Sequence, residues 1–344
     1  MADDDVATRA PESDAKESSI ISSEDTPAQK GASMGEHCVT DRPSRAFLHL
    51  LIFHFNLAER KIALGDQQPS GEISKIADVE VYITKPSDYP HLPSKLLLFL
   101  SSGTGIHSKN NQLQADKYAS EGFLVVMPDQ FAGDPAPNSA TDPNADEQNP
   151  SIIEKVKMGF ATTAKFFMVD MWLARQTPEK VLPILQKVVE GAKEEFADAV
   201  ANGGGVYAVG YCFGGKYVCL LAAELPDSAA HGQAPLKDEE AGMAKAAPLI
   251  KVGALAHGTL VTIEDLQAIK SPISMVCVEN DQLFPDDVRT AGQSHLEENN
   301  IKHEVKVYSG VPHGFAVVGE YEDPRIQEAQ KEAFEQMVEW LKSH

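Results

Sequence analysis

The chain has 344 residues, of which 42% are hydrophobic and 24% are charged, a composition ordinary for a soluble globular protein of one large or two small domains. Its formal net charge of −21, with no local basic stripe, argues against nucleic-acid partners and against anionic membrane surfaces. The four cysteines are too few and too irregularly spaced for a disulfide framework or a zinc site, and they favour a reducing, cytoplasmic setting.

The N-terminal part of the chain lacks a pattern that would build a core. Residues 1–45 are rich in Asp, Glu, Ser, Pro and Ala and predict a disordered acidic tail. The opening stretch MADDDVATRA is acidic where a secretory signal needs basic residues. An apolar run follows at 47–57, but it contains two histidines and is too short to span a bilayer. We therefore assign residues 46–75 to an irregular N-terminal segment and expect no membrane association.

From residue 76 onward, short apolar strands alternate with helical segments. Strands are predicted at 78–84, 95–101, 123–128, 205–210, 249–257, 272–280 and 303–309. Helices are predicted at 110–122, 151–174, 178–201, 214–225, 262–269, 286–299 and 325–342. A Pro- and Asp-rich stretch at 129–150 has no period and is long enough to suggest a functional loop. Strands that are apolar on both faces and alternate with helices predict one α/β domain over 76–344, with a mostly parallel sheet and helices on both faces.

The stretch VGYCFGGKY at 209–217 fits two kinds of loop between a strand and a helix. The residues Gly210–Lys216 are one residue short of a phosphate-binding loop, which would make the protein a nucleotide hydrolase. However, Tyr217 stands where such a loop needs a Ser or Thr to bind magnesium. The same stretch also fits a nucleophile elbow, in which Gly210 and Gly214 relieve crowding around an exposed Cys212.

The elbow interpretation explains more of the chemistry. A cysteine at a helix N-terminus is favoured as a thiolate by the helix dipole and the free amides, and the Phe213 amide would face a developing oxyanion. Cys219 and Cys277 lie inside a helix and a strand, so we interpret them as small buried hydrophobic residues.

An elbow nucleophile requires an acid and then a histidine, each on a loop after a later strand. Asp281 follows the strand at 272–280, and His313 follows the next strand. Glu279 is a competing acid, although its position still belongs to the strand. The end of the strand at 249–257 adds His257, which we expect to line the pocket.

Several stretches resemble the dienelactone hydrolase family, particularly its fungal members, over about residues 71–344. They are PSGEISKI, FLVVMPDQFAGDP, VYAVGYCFGGKYV, ENDQLFP and YSGVPHGFAV. The resemblance implies an α/β-hydrolase fold and a catalytic triad of Cys212, His313 and Asp281, which matches the residues found above from their chemistry. It implies hydrolysis of a small-molecule ester or lactone through a thioester, with no metal or organic cofactor.

The remaining site predictions concern the oxyanion and the substrate. The second oxyanion amide is expected in SSGTG at 101–105, at Gly103. The substrate-binding residues are predicted to be Phe131, Trp172, Tyr211, His257 and Phe315. The protein is expected to be a monomer or a homodimer. A catalytically silent α/β-hydrolase fold used as a binding module is the main alternative.

Two departures from the bacterial members of the family bear on the substrate. Those proteins hold the substrate carboxylate with two arginines, but Gly133 and Val317 stand at these positions. Their glutamate near the resting cysteine is replaced here by Ser102. Arg175 is the nearest spare cation by sequence, and Lys216 is expected to point along its helix. The sequence therefore predicts a preference for uncharged esters or lactones.

Overall fold

The computed structural model describes residues 67–136, 168–169, 171–226, 245–319 and 321–344. Several predicted segments lie wholly or mostly outside these described residues: the acidic tail 1–45, the segment 46–75, the loop 129–150 and the helix 151–174. Among the described helices, none is both long enough and apolar enough to cross a membrane.

Eight of the ten described strands form one twisted sheet in the order β1-β2-β4-β3-β5-β8-β9-β10. The strands are β1 (Glu72–Ile76), β2 (Val79–Thr84), β3 (Lys95–Leu100), β4 (Phe123–Pro128), β5 (Tyr207–Tyr211), β6 (Leu225–Pro226), β7 (Lys245–Ala246), β8 (Val252–Ala256), β9 (Ile273–Val278) and β10 (His303–Tyr308). β2 pairs antiparallel with β1 and β4, and the other pairings in this sheet are parallel. The predicted mostly parallel sheet is confirmed.

The helices cover both faces of this sheet. They are α1 (Lys109–Ser120), α2 (Pro178–Glu195), α3 (Ala197–Gly203), α4 (Phe213–Leu221), α5 (Ile263–Gln267), α6 (Asp286–Glu298) and α7 (Pro324–Ser343). Residues 168–169 and 171–175 are also helical. The predicted helix 178–201 is divided into α2 and α3 at Phe196, which leaves helical geometry with φ −119° and ψ 44°.

Alternate residues of each parallel strand enter two separate cores. In β3, Leu96 and Leu98 pack into the core beneath α2 and α4, while Leu97 and Phe99 pack into the core beneath α1 and α7. Both faces are therefore buried, which explains why the strands are continuously apolar in sequence. Burial on both faces confirms the predicted α/β domain with helices on both sides of the sheet.

The first strand was not predicted from the sequence. β1 has the sequence EISKI, and only Ile76 of its five residues is buried. A short, mostly exposed edge strand carries little apolar pattern, and β1 is positioned by its antiparallel pairing with β2. The sheet begins at Glu72, four residues before the predicted start of the domain at residue 76.

A very tight turn joins β5 to α4. Cys212 alone separates the strand from the helix, and its backbone has φ 53° and ψ −115°, which is rare for a residue with a side chain. The helix begins so close to the sheet that a Cβ on Gly210 would lie 2.5 Å from the Gly214 carbonyl oxygen. A Cβ on Gly214 would overlap the carbonyl oxygen of Leu100 in β3. Both flanking positions therefore require glycine.

We predict that Gly214→Ala lowers the free energy of unfolding by about 3 kcal/mol, because the new methyl group must displace the backbone of β3. Urea denaturation would measure the loss. Gly310→Ala is a suitable control, since no atom lies within 4 Å of its Cβ position and only its φ of +71° is unfavourable. The control should lose about 1 kcal/mol. Equal losses in the two variants would contradict the close packing at the turn.

Candidate active site

Four neighbouring parallel strands bring their following loops to one edge of the sheet. β5 is followed by Cys212, β8 by Thr259, β9 by Asp281 and β10 by His313. Because the carboxyl ends of parallel strands share an edge, these residues meet although they are far apart in sequence. The structure thus brings together the three residues proposed from the sequence as a triad, and it adds Thr259.

The acid and the histidine form a short, buried contact. His313 Nδ1 lies 2.6 Å from Asp281 Oδ2, and their side chains are 7% and 2% exposed. The other carboxylate oxygen of Asp281 accepts a hydrogen bond from the Leu283 amide at 2.9 Å. Glu279, the competing acid, is exposed. Asp281, and not Glu279, is therefore the acid in contact with the imidazole.

The thiol, a hydroxyl and the imidazole form a compact group. Cys212 Sγ lies 3.1 Å from Thr259 Oγ1, and this oxygen lies 3.2 Å from His313 Nε2. His313 is also in hydrogen-bond contact with Cys212. Cys212 and Thr259 are both 0% exposed, whereas the elbow nucleophile was expected to be exposed. The prediction failed because the surrounding loops, and not the turn itself, determine how far the sulfur is covered.

The electrostatic environment favours a charged His313. Burial by itself lowers the pKa of His313, but the hydrogen bonds to Asp281 and Cys212 outweigh it and raise the pKa to about 9. A protonated imidazole stabilises an adjacent thiolate. The arrangement can therefore hold a thiolate–imidazolium pair near neutral pH.

The other two described cysteines behave differently. Cys219 and Cys277 are free and buried. Burial raises the pKa of the Cys277 thiol to about 12 and that of Cys219 well above the usual range for thiols. Both stay protonated, in keeping with a packing role. Within the described part of the chain, no group of three or more His, Cys, Asp or Glu residues is placed to hold a metal ion.

The two predicted oxyanion-hole residues lie at the start of α4 and in the loop after β3. Phe213 is the first residue of α4, and the first amides of a helix lack acceptors within it. Gly103 is buried in the loop after β3, and its carbonyl accepts a hydrogen bond from the Ala136 amide at 2.8 Å. The same loop is braced by Asn111, which donates to Thr104 Oγ1 and to the Gly105 carbonyl.

The predicted substrate-binding residues form two aromatic groups. Phe131 and Trp172 contact Phe213 with ring centroids 5.2 and 5.3 Å away, and contact each other at 5.1 Å. These three rings form the first group.

The second group is centred on His257, whose ring centroid lies 5.1 Å from that of His313 and 6.0 Å from those of both Tyr211 and Phe315. The Tyr211 hydroxyl contacts the Tyr118 hydroxyl and accepts from Gln114. His257 therefore contacts the His313 ring as well as the rings of Tyr211 and Phe315.

Nearby cations are already engaged in structural pairs. Arg175 contacts Asp134 at 3.2 Å, and this aspartate also accepts from Gln176. Lys216 lies 2.6 Å from Asp265 and donates to the Leu260 carbonyl. Lys216 thus ties α4 to α5.

The connection between β5 and α4 is a single residue, which leaves no loop to surround a phosphate. The geometry therefore disfavours the phosphate-loop interpretation.

Comparison with known families agrees with this geometry. The model of the dienelactone hydrolase family matches residues 79–344. The chain belongs to this family. Membership confirms the resemblance seen in the sequence and makes the protein a hydrolase of ester or lactone bonds.

Similar proteins match most of the chain. The hydrolase pyvD of Aspergillus violaceofuscus is 29% identical over 82% of this chain and 94% of its own length. Dienlactone hydrolase 1 of Gibberella moniliformis is 27% identical over 80% of this chain and 88% of its own. The crystal structure of a putative dienelactone hydrolase from Klebsiella pneumoniae has a TM-score of 0.55 and 17% identity, covering 80% and 98% of the two chains, and shows the common fold.

We predict that Asp281→Asn lowers the pKa of His313 by about 1 to 3 units, because a neutral amide replaces the carboxylate that favours the imidazolium. A histidine-resolved NMR titration would measure it, with the His313 signal assigned from a His313→Asn variant. Asp287→Asn, an exposed acid in the first turn of α6, is the matched control and should leave this pKa unchanged. An unchanged pKa in Asp281→Asn would show that the carboxylate does not control His313.

Proposed function

We propose that this protein hydrolyses ester or lactone bonds with Cys212 as nucleophile, His313 as acid and base, and Asp281 as the orienting group, through a thioester acyl-enzyme. The observation that carries the proposal is the geometry at the elbow. Cys212 adopts left-handed φ between β5 and α4, and its sulfur contacts an imidazole whose other nitrogen lies 2.6 Å from Asp281. This arrangement is the pattern expected of an activated nucleophile, a base and an orienter.

In the acylation step, His313 Nε2 takes the proton of the Cys212 thiol, and the thiolate attacks the carbonyl carbon. The carbonyl oxygen becomes negative, and the amides of Phe213 and Gly103 are proposed to stabilise it. The imidazolium then gives its proton to the leaving alcohol oxygen, and the C–O bond breaks. The product is a thioester on Cys212, with His313 neutral again.

Deacylation follows from the same contacts. Once the sulfur carries an acyl group, it no longer favours the imidazolium, and the two contributions of Cys212 that raise the pKa of His313, its hydrogen bond and its charge, are removed. His313 then accepts a proton from water more readily at neutral pH. Hydroxide addition to the thioester and loss of the thiolate release the acid and restore the resting enzyme. Acylation of the sulfur thus prepares the base for the second step.

The substrate is proposed to be an uncharged small molecule. Phe131, Trp172 and Phe315 are fully buried near the triad and suit an apolar acyl or lactone group. Arg175 and Lys216, the cations considered from the sequence, are paired with Asp134 and Asp265. A substrate carboxylate buried without a cation costs several kcal/mol.

We also propose a reducing, cytoplasmic setting and a monomer or homodimer without a nucleic-acid partner. A catalytic thiolate must stay reduced to act, and the free cysteines among the described residues are compatible with that setting. A silent binding module has less support, because it gives no role to the short Asp281–His313 contact or to the left-handed backbone of Cys212.

The nucleophile can be tested directly. We predict that Cys212→Ala lowers kcat/KM for p-nitrophenyl esters by about 10³-fold or more while the chain stays folded, because removing one buried sulfur leaves only a small cavity. Cys219→Ala, a buried cysteine inside the helix α4 that follows Cys212, should keep wild-type activity within a few-fold. Steady-state kinetics and thermal melting would measure both variants. Wild-type activity in folded Cys212→Ala would refute the triad.

The substrate preference is tested with a matched pair of ligands, cis-dienelactone carboxylate and its methyl ester. We predict a higher kcat/KM for the methyl ester, since it removes the charge and keeps the ring. A neutral short-chain aryl ester should also be hydrolysed faster than the free carboxylate. A higher kcat/KM for the carboxylate than for both neutral compounds would contradict the proposed preference and would indicate a cation in contact with the substrate.

A further inference from the structure

Thr259 lies in a strained segment between β8 and α5. His257 and Leu260 both have positive φ, at 39° and 59°, although neither is glycine. Such backbone geometry is uncommon for residues with side chains and persists only when surrounding contacts hold it. Between them, a Cβ on Gly258 would come within 2.8 Å of the Val261 side chain. The segment is therefore tightly constrained, and Thr259 is at its centre.

Backbone hydrogen bonds fix Thr259 to two of the triad loops. The Thr259 amide donates to the carbonyl of Cys212 at 3.0 Å, and the Leu260 amide donates to the carbonyl of Leu283 at 3.2 Å. The Leu283 amide in turn donates to the Asp281 carboxylate. Thr259 thus keeps its position relative to both the nucleophile and the acid.

The hydroxyl of Thr259 lies between the two reacting groups. Its oxygen is 3.1 Å from Cys212 Sγ and 3.2 Å from His313 Nε2, and the residue is 0% exposed. A hydroxyl has one proton to donate and two lone pairs that accept. Thr259 can therefore serve the sulfur and the imidazole at the same time.

We propose that Thr259 is a fourth catalytic residue, whose hydroxyl stabilises the thiolate–imidazolium pair by donating to the sulfur and accepting from the imidazolium. This inference deepens the proposed function and rests on Cys212 being the nucleophile. In the neutral state the hydroxyl donates to the free lone pair of Nε2, and the thiol keeps its own proton.

When the thiol proton moves to Nε2, the lone pair of Nε2 binds it and can no longer accept a hydrogen bond. The Thr259 hydroxyl then rotates and donates its hydrogen bond to the Cys212 sulfur. Nε2–H can then donate to Thr259 Oγ1. One proton has moved from sulfur to nitrogen, and the threonine keeps its own. The hydroxyl is bonded in both states, so charge separation leaves no buried polar group of Thr259 unsatisfied.

Two matched comparisons isolate the hydroxyl. Thr259→Val keeps the shape and removes the hydroxyl, whereas Thr259→Ser keeps the hydroxyl and removes the methyl group. Thr259→Ala completes the second pair, since it differs from Thr259→Ser only by the oxygen. Thr84→Val is the control for loss of a buried threonine hydroxyl away from the site, since Thr84 is buried in β2, three strands away from β5 in the sheet.

We expect kcat/KM for a neutral ester to fall about 10- to 100-fold in Thr259→Val and Thr259→Ala, and to stay within a few-fold of wild type in Thr259→Ser and Thr84→Val. The second readout is alkylation by iodoacetamide as a function of pH, followed by mass spectrometry of the Cys212 peptide. The midpoint should rise by about one unit in the two variants without the hydroxyl. Asp281 and His257, the other titratable groups facing the pair, are the same in all variants.

The two proposals fail in different ways. Unchanged alkylation midpoints and unchanged kcat/KM in Thr259→Val would overturn the role of Thr259 and leave the triad intact. Loss of activity in Thr259→Ser equal to that in Thr259→Ala would also overturn it, since the hydroxyl would then have no effect. Full activity in Cys212→Ala would instead refute the proposed function. If Thr259→Val does not fold, the comparison of Ser with Ala decides the question alone.

Discussion

The structure of the site depends on one backbone constraint, the left-handed conformation of Cys212 between β5 and α4. It exists because Gly210 and Gly214 let the helix approach the sheet more closely than any side chain would allow. That approach puts the sulfur at the carboxyl edge of the sheet and the Phe213 amide beside it. A helix displaced by a methyl group would move both at once. The proposed nucleophile and the proposed oxyanion donor are thus one structural unit.

The second requirement is that charges buried at the site be paired. Asp281 and His313 are almost completely buried, and an unpaired charge there would be strongly unfavourable. Each is satisfied by the other, and the Leu283 amide satisfies the remaining carboxylate oxygen. Peripheral charges follow the same principle, because Arg175 and Lys216 each have an acidic partner.

Much of this arrangement follows from the sequence, because long apolar runs and glycine spacing reflect local constraints. Cys212, Asp281 and His313 each follow a predicted parallel strand, and this was enough to predict that they lie at one edge of the sheet. β1 was missed because its residues are mostly exposed, so its pairing with β2 and not its pattern defines it. Thr259 was missed because threonine is an ordinary residue in loops, and nothing in the sequence around His257 marks this one as part of a site. Only the strained fold of its segment directs the hydroxyl to the sulfur.

The complete burial of the Cys212 sulfur links two properties that are usually considered separately. A substrate and a cellular oxidant such as peroxide both reach the sulfur only while the surrounding residues are displaced. The fraction of time for which those residues are displaced therefore scales both the rate of substrate capture and the rate of thiol oxidation. Evolution toward faster turnover by loosening these residues would shorten the working life of each molecule. The number of turnovers per lifetime would change much less than either rate.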